Sequence, residues 1–337
     1  MNKLVAVTGG SGYIAGFVIA EFLRSGYSVR ASLRNLSKAE KIKSELSQLV
    51  DNHHLNRLSF FTADLSSPAG WEEAFTGVDG IIHVASPLGS GKESASTLTK
   101  IAKDGTLTVL NAAKNAGVRR IVMPSSGAAC TPHTSVGDIT IDETFWSDEE
   151  NPQLDPYRIS KLRSEKAAWD YAKENGLSLT TILPGAVFGR VLSADNISSN
   201  EILLRLLTGK IPRAMHVPFE ISNTTDLAVL HRLAFENDIA IGERFLASSQ
   251  VITMPEVCDF YHTQFPQTKV PTGIMPNFIV RPLSLFVPQL RSLVPMLSRS
   301  YRHTTDKATF LLGWVQHTPE ETLLETYDAF NKLGMLN

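Results

Sequence analysis

The sequence is poor in cysteine, in net charge and in unbroken apolar stretches. Cys130 and Cys258 are its only cysteines in 337 residues. Two distant thiols exclude a disulfide framework and a cysteine-rich metal site, and they suit a reducing interior. Lysine and arginine number 32 against 34 acids, a net charge of −2. A chain so balanced lacks the basic field that nucleic acid or an anionic membrane attracts. The longest apolar stretch, Leu283 to Leu297, is broken by Pro288, Arg291 and Pro295 and is too short to span a bilayer. Apolar residues begin at Leu4 and a glycine turn at Gly9, which leaves no room for a secretory leader. We therefore expect no stable membrane anchor, no metal and a cytoplasmic location.

What is present is ordinary folded-protein composition, 43% hydrophobic and 20% charged. Short β-type runs alternate with longer helical patterns. The runs are Leu4–Val7, Val29–Leu33, Leu58–Phe61, Ile81–Val84, Ile121–Met123 and Leu179–Leu183. Ile14, Val18 and Phe22 recur at helical spacing between the first two. This alternation predicts an α/β fold, a doubly wound (Rossmann) parallel sheet. Asp155 and Pro156 mark a helix start and Asn175-Gly176 its end. Thr318 to Glu321 spell a capping box. After about residue 190 prolines crowd and strand signals thin, apart from Arg244–Ala247. Residues 1–190 are expected to form a dinucleotide-binding domain carrying the catalytic residues. Residues 191–337 should form a smaller, mostly helical substrate lobe, with some segments returning to the first domain.

The first βα turn reads Thr8-Gly9-Gly10-Ser11-Gly12-Tyr13-Ile14-Ala15-Gly16. Gly9 allows the turn, Gly12 lets backbone approach a pyrophosphate, and Ala15 lets helix pack on strand. The helix N-terminus favours the phosphates. Thr8, Gly9, Gly12, Tyr13 and Ile14 are the candidate contacts. Positions 28 to 39 hold no acid for a ribose hydroxyl, but they hold Arg30, Arg34 and Lys38, with Lys41 after them. Arg34, nearer the strand end than Arg30, suits a 2′-phosphate, which points to NADP(H). Lys38 and Lys41 also read as a solvated helix face. Asp64-Leu65 follows the third strand, where Asp64 is either an adenine contact or a turn residue. His83-Val84-Ala85-Ser86-Pro87 ends the fourth strand beside the expected nicotinamide path.

Tyr157 and Lys161 stand four apart on the marked helix and share a face. Ser126 ends the fifth strand. Hydride delivery to a carbonyl carbon leaves charge on oxygen, which then needs a proton. A tyrosine, with an ordinary pKa of about 10, gives it up more readily beside an ammonium. A serine can hydrogen-bond the developing oxyanion.

Together these motifs resemble an extended short-chain dehydrogenase/reductase. The matching pieces are the Thr8–Gly16 turn, Asp64-Leu65, Ser125-Ser126, Tyr157-Arg158-Ile159-Ser160-Lys161 and Pro184-Gly185-Ala186-Val187-Phe188-Gly189. The His83–Pro87 segment, the Arg30/Arg34 pair, Asp226-Leu227-Ala228 and Leu312-Gly313-Trp314 resemble the dihydroflavonol reductase, cinnamoyl-CoA reductase and microbial aldehyde–ketone reductase subgroup. The resemblance implies Ser126, Tyr157 and Lys161 as catalytic residues. It also implies Lys161 on the nicotinamide ribose, and Pro184, Gly185 and Val187 around the nicotinamide. The expected activity is NADPH-dependent reduction of an aldehyde or ketone by a monomer or homodimer. A nucleotide-sugar epimerase or dehydratase, a hydroxysteroid dehydrogenase and a non-enzymatic NADP sensor are the alternatives. Thr131 stands where plant flavonoid reductases carry Asn, which puts a flavonoid substrate in doubt. His83, Pro87, Thr131, Met215 and Phe219 are the candidate substrate contacts. Val217, Phe278, Leu285, Phe286 and Met296 read as further pocket wall or as lobe core. Arg281, Arg291, Arg299 and Arg302 could hold an anionic substrate or simply face solvent.

Overall fold

The apolar runs at the centre of the sheet become strands because both of their faces find cover. The computed structural model describes residues 3–86, 95–286, 290, 293–297 and 299–336. Its main sheet has seven strands, all parallel. From edge to edge they are Arg244–Leu246, Ser178–Leu183, Arg120–Pro124, Gly80–His83, Leu4–Thr8, Ser28–Leu33 and Leu58–Thr62. Val5, Val7, Ile82, Val122 and Ile182 pack on one face, under the helices Tyr13–Arg24 and Thr224–Glu236. Ala6, Ile81, Ile121, Met123 and Leu179 pack on the other, under Ala95–Asn115 and Pro156–Asn175. Successive side chains alternate between two buried faces, so the strands read as continuous apolar runs.

The chain moves outward from Leu4–Thr8 through Ser28–Leu33 to Leu58–Thr62, then returns to pair Gly80–His83 on the other side. The reversal opens a crevice at the carboxyl edge, between Thr8 and its register partner His83.

Helix Pro156–Asn175 starts and stops where its caps dictate. The Asp155 carboxylate accepts the Arg158 N–H at 2.8 Å, and Gly176 closes the helix with φ of 63°. The Thr318–Glu321 capping box begins Pro319–Lys332. A second box, Thr253 with Glu256, starts Met254–Gln264 and has no counterpart in our sequence reading.

The later half of the chain also holds strands with no apolar signature. Pro218–Asn223 lies between Ala186–Phe188 and Gln250–Thr253 in a small mixed sheet. All six of its residues are buried, Glu220 among them. Thr224–Glu236 returns to pack on Tyr13–Arg24, where Phe235 meets Phe22 and Tyr27 edge-on. On Asn277–Phe286 only Val280 and Ser284 are buried. Phe278, Leu285 and Phe286 face solvent there, so they are neither pocket wall nor core.

Both cysteines are buried and unbonded. Burial pushes both thiols up to about 12. Among the described residues, no helix is long and apolar enough to cross a membrane.

Gly80 shows how tightly the sheet is covered. A Cβ there would lie 2.4 Å from Phe235 Cε2 and 2.8 Å from the Arg120 carbonyl oxygen. Gly80→Ala should cost about 1–3 kcal/mol through overpacking, measured as a lower urea midpoint. An unchanged midpoint would mean that Phe235 can move aside freely.

Candidate active site

The glycine turn is fixed by contacts that leave it bare. Gly9 has φ of +72°, and a Cβ on it would sit 2.9 Å from Ala85 Cα. The Gly9 N–H donates to Ser32 Oγ and the Gly10 N–H to the Ser32 carbonyl, both at 2.8 Å. Gly12 is the N-cap of Tyr13–Arg24 and supplies no capping side chain. The first N–H groups of that helix are therefore open to a bound anion.

Above this turn lies a cleft of about 1050 Å³. Its wall brings together Gly9, Gly12, Tyr13, Ile14, Arg34, Asp64, Leu65, Val84, Ala85, Ser86, Ser126, Tyr157, Lys161, Pro184, Gly185 and Val187. Arg34 is exposed and makes no hydrogen bond or salt bridge among the described residues. Arg30 instead donates to the Ala74 and Thr76 carbonyl oxygens, at 2.5 and 3.3 Å, and is not in the wall. Asp64 serves the turn as well as the wall: it accepts the Ser66 N–H and O–H, which hold its carboxyl below the usual range. The cleft thus fits a dinucleotide, with a bare helix end for phosphates and an unpaired guanidinium beyond it.

Lys41, Thr8 and His83, expected as cofactor and substrate contacts, lie elsewhere in the structure. Lys41 pairs with Asp195 at 2.5 Å outside the wall. Thr8 is buried beneath it, and its Oγ1 accepts the Ala85 N–H at 2.9 Å. His83 is buried as the last residue of a covered strand, and its Nδ1 lies 2.8 Å from Thr8 Oγ1. Burial, with the Lys161 charge nearby, lowers the His83 pKa to about 4.

Ser126, Tyr157 and Lys161 all line the cleft. Tyr157 is half-exposed, and Lys161 Nζ lies 5.7 Å from its ring centroid. Lys161 also donates to Ser86 Oγ at 3.0 Å. Ser126 Oγ accepts the Ala128 N–H at 3.2 Å. Behind them Glu165, fully buried on the Tyr157 helix, accepts from Ser125 Oγ at 2.7 Å and from Thr181 Oγ1 at 2.8 Å. It also accepts from Arg244 Nε at 2.9 Å.

A second cavity, of about 220 Å³, shares Ser126, Tyr157, Pro184, Gly185 and Ala186 with the cleft. Thr131, Phe219 and Met296 line it. A Cβ on Gly185 would lie 2.3 Å from the Glu220 carbonyl oxygen, so this shared wall admits only glycine. Met215 lines neither space: it is 4% exposed, with its N–H 3.4 Å from Met254 Sδ. Val217 is likewise buried in the core. Pro87 lies outside the described residues.

Our sequence reading missed Ser11, Ser32, Ser66, Ser198 and Ser199 in the cleft, and Arg158, Glu220, Tyr301 and His303 in the cavity. Ser11 and Ser32 sit in segments already marked. Arg158 sits in the quoted Tyr157–Lys161 motif, and Ser66 directly follows Asp64-Leu65. Ser198, Ser199, Glu220, Tyr301 and His303 come from segments far along the chain that carry no local signal. Among the described residues, Asp51, His53 and His54 form a surface group of metal-type ligands that lines neither space.

Residues 5–220 match the model of the NAD dependent epimerase/dehydratase family. The chain belongs to this family. It is an extended short-chain dehydrogenase/reductase, of the reductase kind. Cinnamoyl-CoA reductase 1 of Petunia hybrida is 33% identical over 274 residues, 80% of each chain. Noscapine synthase SDR1 of Papaver somniferum is 32% identical over 289 residues, 81% of this chain and 82% of that one. Among solved structures, the NADPH complex of Gre2 from Candida albicans superposes with a TM-score of 0.80 at 26% identity. Vestitone reductase from alfalfa gives 0.77, also at 26%. Each match covers 98% of this reductase and 99% of the other chain.

The buried His83 makes stability depend on pH. Its folded pKa, about 4, lies below the ordinary 6.5. The unfolded chain therefore binds the proton first as pH falls. Stability present above pH 6.5 should drop at up to about 1.4 kcal/mol per pH unit toward pH 4. His231, equally buried and also near 4, adds a similar slope. His83→Gln should flatten the fall between roughly pH 6.5 and 5, measured by chemical denaturation. An unaltered slope would mean that His83 is protonated in the fold.

Proposed function

We propose that this protein reduces an aldehyde or ketone to an alcohol, with NADPH as hydride source and Tyr157 as proton donor. It is an oxidoreductase and its cofactor is NADP(H), in keeping with its reductase relatives and the NADPH-bound Gre2. The observation that carries the reading is convergence. Ser126, Tyr157 and Lys161 face the same cleft as the bare glycine turn and the unpaired Arg34.

NADPH, when bound, supplies a hydride for the carbonyl carbon. The π pair of the carbonyl then moves onto oxygen, which takes the Tyr157 phenol proton. Ser126 Oγ accepts from backbone, and its own proton has no acceptor among the described residues, so it is available to the developing oxyanion. Lys161 stabilises the phenolate left on Tyr157 by its adjacent charge. Ser86 holds that ammonium in place. Arg34 supports NADPH over NADH, because no carboxylate between residues 28 and 39 competes for the ribose. The same arginine speaks against an epimerase that keeps NAD.

Tyr157→Phe should lower kcat at least about 100-fold, the usual worth of a general acid. NADPH affinity, followed by fluorescence titration, should stay close to wild type. A variant retaining a tenth of the wild-type rate would reject Tyr157 as the donor.

Arg34→Ala tests the cofactor choice. One charge-assisted hydrogen bond is worth about 1.5–3 kcal/mol, or roughly ten- to hundredfold. The KM for NADPH should rise by that factor while the KM for NADH barely moves. Equal weakening of both would mean that Arg34 holds the fold or the adenine.

A further inference from the structure

The small cavity beside Tyr157 differs from the cofactor cleft in the charges on its wall. Arg158, Glu220, Arg299 and His303 line it, with Phe219 and Tyr301. Of the arginines around the Leu283–Leu297 stretch, Arg281 is exposed, Arg302 is exposed and paired with Asp138, and Arg291 lies outside the described residues. The Arg299 side chain is only 8% exposed.

The guanidinium groups here have more donors than the fold fills. Arg299 Nη2 lies 2.9 Å from Glu220 Oε2, and its guanidinium stacks 4.4 Å from the Tyr301 ring centroid. Its Nε and Nη2 have no well-aligned hydrogen-bond acceptor among the described residues. Arg158, 8% exposed, pairs through Nη1 with Asp155. Its Nη2 meets only the Met296 thioether, at 2.7 Å, and its Nε has no partner among the described residues. A thioether is a weak acceptor.

Glu220 does not fill these donors. Its Oε1 accepts the His303 backbone N–H at 2.7 Å, and its Oε2 faces His303 Nδ1 at 2.6 Å as well as Arg299. His303 Nε2 in turn lies 3.1 Å from the Cys130 carbonyl oxygen. Both carboxylates of the cluster are thus already engaged, Asp155 by Arg158 and Glu220 by His303 and Arg299. Unfilled buried donors cost free energy. A ligand anion would fill them.

We propose that this cavity is an anion subsite, in which Arg158 and Arg299 take the carboxylate of a short oxo acid whose carbonyl lies at Tyr157. The guanidinium fork suits a carboxylate. At about 220 Å³ the cavity falls below the roughly 300–1,000 Å³ of sites for drug-sized ligands. The carboxylate must therefore lie within a few bonds of the carbonyl, as in 2-oxo and 3-oxo acids. The proposal rests on the carbonyl-reductase reading. Hydride and the Tyr157 proton add across the carbonyl, so the product is the hydroxy acid and NADPH leaves as NADP⁺.

The test compares kcat/KM with NADPH for 2-oxobutanoate, 3-oxobutanoate, their ethyl esters and butanal. At least one acid should exceed its own ester by about tenfold or more. Arg299→Gln should bring that acid-to-ester ratio down toward one, with the dissociation constant for NADPH unchanged. Should this variant fail to fold, Arg158→Gln and competitive inhibition of the wild type by propanoate but not propanamide serve instead. Esters and butanal reduced as well as the acids would overturn the subsite while leaving the carbonyl reductase standing. A ratio untouched by Arg299→Gln would remove Arg299 from it. No turnover of any of these compounds by NADPH-bound protein would reject the carbonyl-reductase reading itself.

Discussion

The relative position of Ser126, Tyr157 and Lys161 depends on one buried carboxylate. Glu165 follows Lys161 by one helical turn and Tyr157 by two, on the same face. It binds Ser125, the neighbour of Ser126, and Thr181 on the next strand. It also binds Arg244 from the edge strand. One side chain thus joins the helix that carries Tyr157 and Lys161 to three strands of the sheet. The Arg244–Glu165 pair is nearly dry, and removing either partner of such a pair costs far more than an exposed pair is worth. The relative placement of Ser126 and Tyr157 is therefore set by a contact that neither of them makes.

Much of this was legible in the chain because the signals are local. The six strand runs of the first half and the edge strand near Arg244 are short, apolar and bounded by helices, so each predicted run became a strand of the main sheet. Asp155, Gly176 and the Thr318–Glu321 box predict their helix ends through backbone chemistry that needs no tertiary context. The glycine turn and the Tyr157–Lys161 spacing carried the cofactor and chemistry readings in the same way. Pro218–Asn223 was not legible, because a strand that opens with proline and buries Glu220 shows no apolar run.

The substrate side fared worse for a physical reason. His83 was chosen for its place at the end of the fourth strand and Met215 for its apolar side chain, yet both are buried and neither lines the small cavity. Arg158 and Arg299 are ordinary surface residue types, and only the packing of Met296 and Tyr301 around them brings them inside. The wall of the small cavity is assembled from segments far apart in sequence, whereas that of the large cleft is concentrated in a few strand ends.

The two cysteines bear on the protein's own durability. Thiolate, not thiol, attacks electrophiles, and both thiols are held protonated by burial, with neither on the surface. On the carbonyl-reductase reading the protein gathers electrophilic carbonyl compounds at its own site. Both thiols are kept out of their reach by burial and by protonation alike.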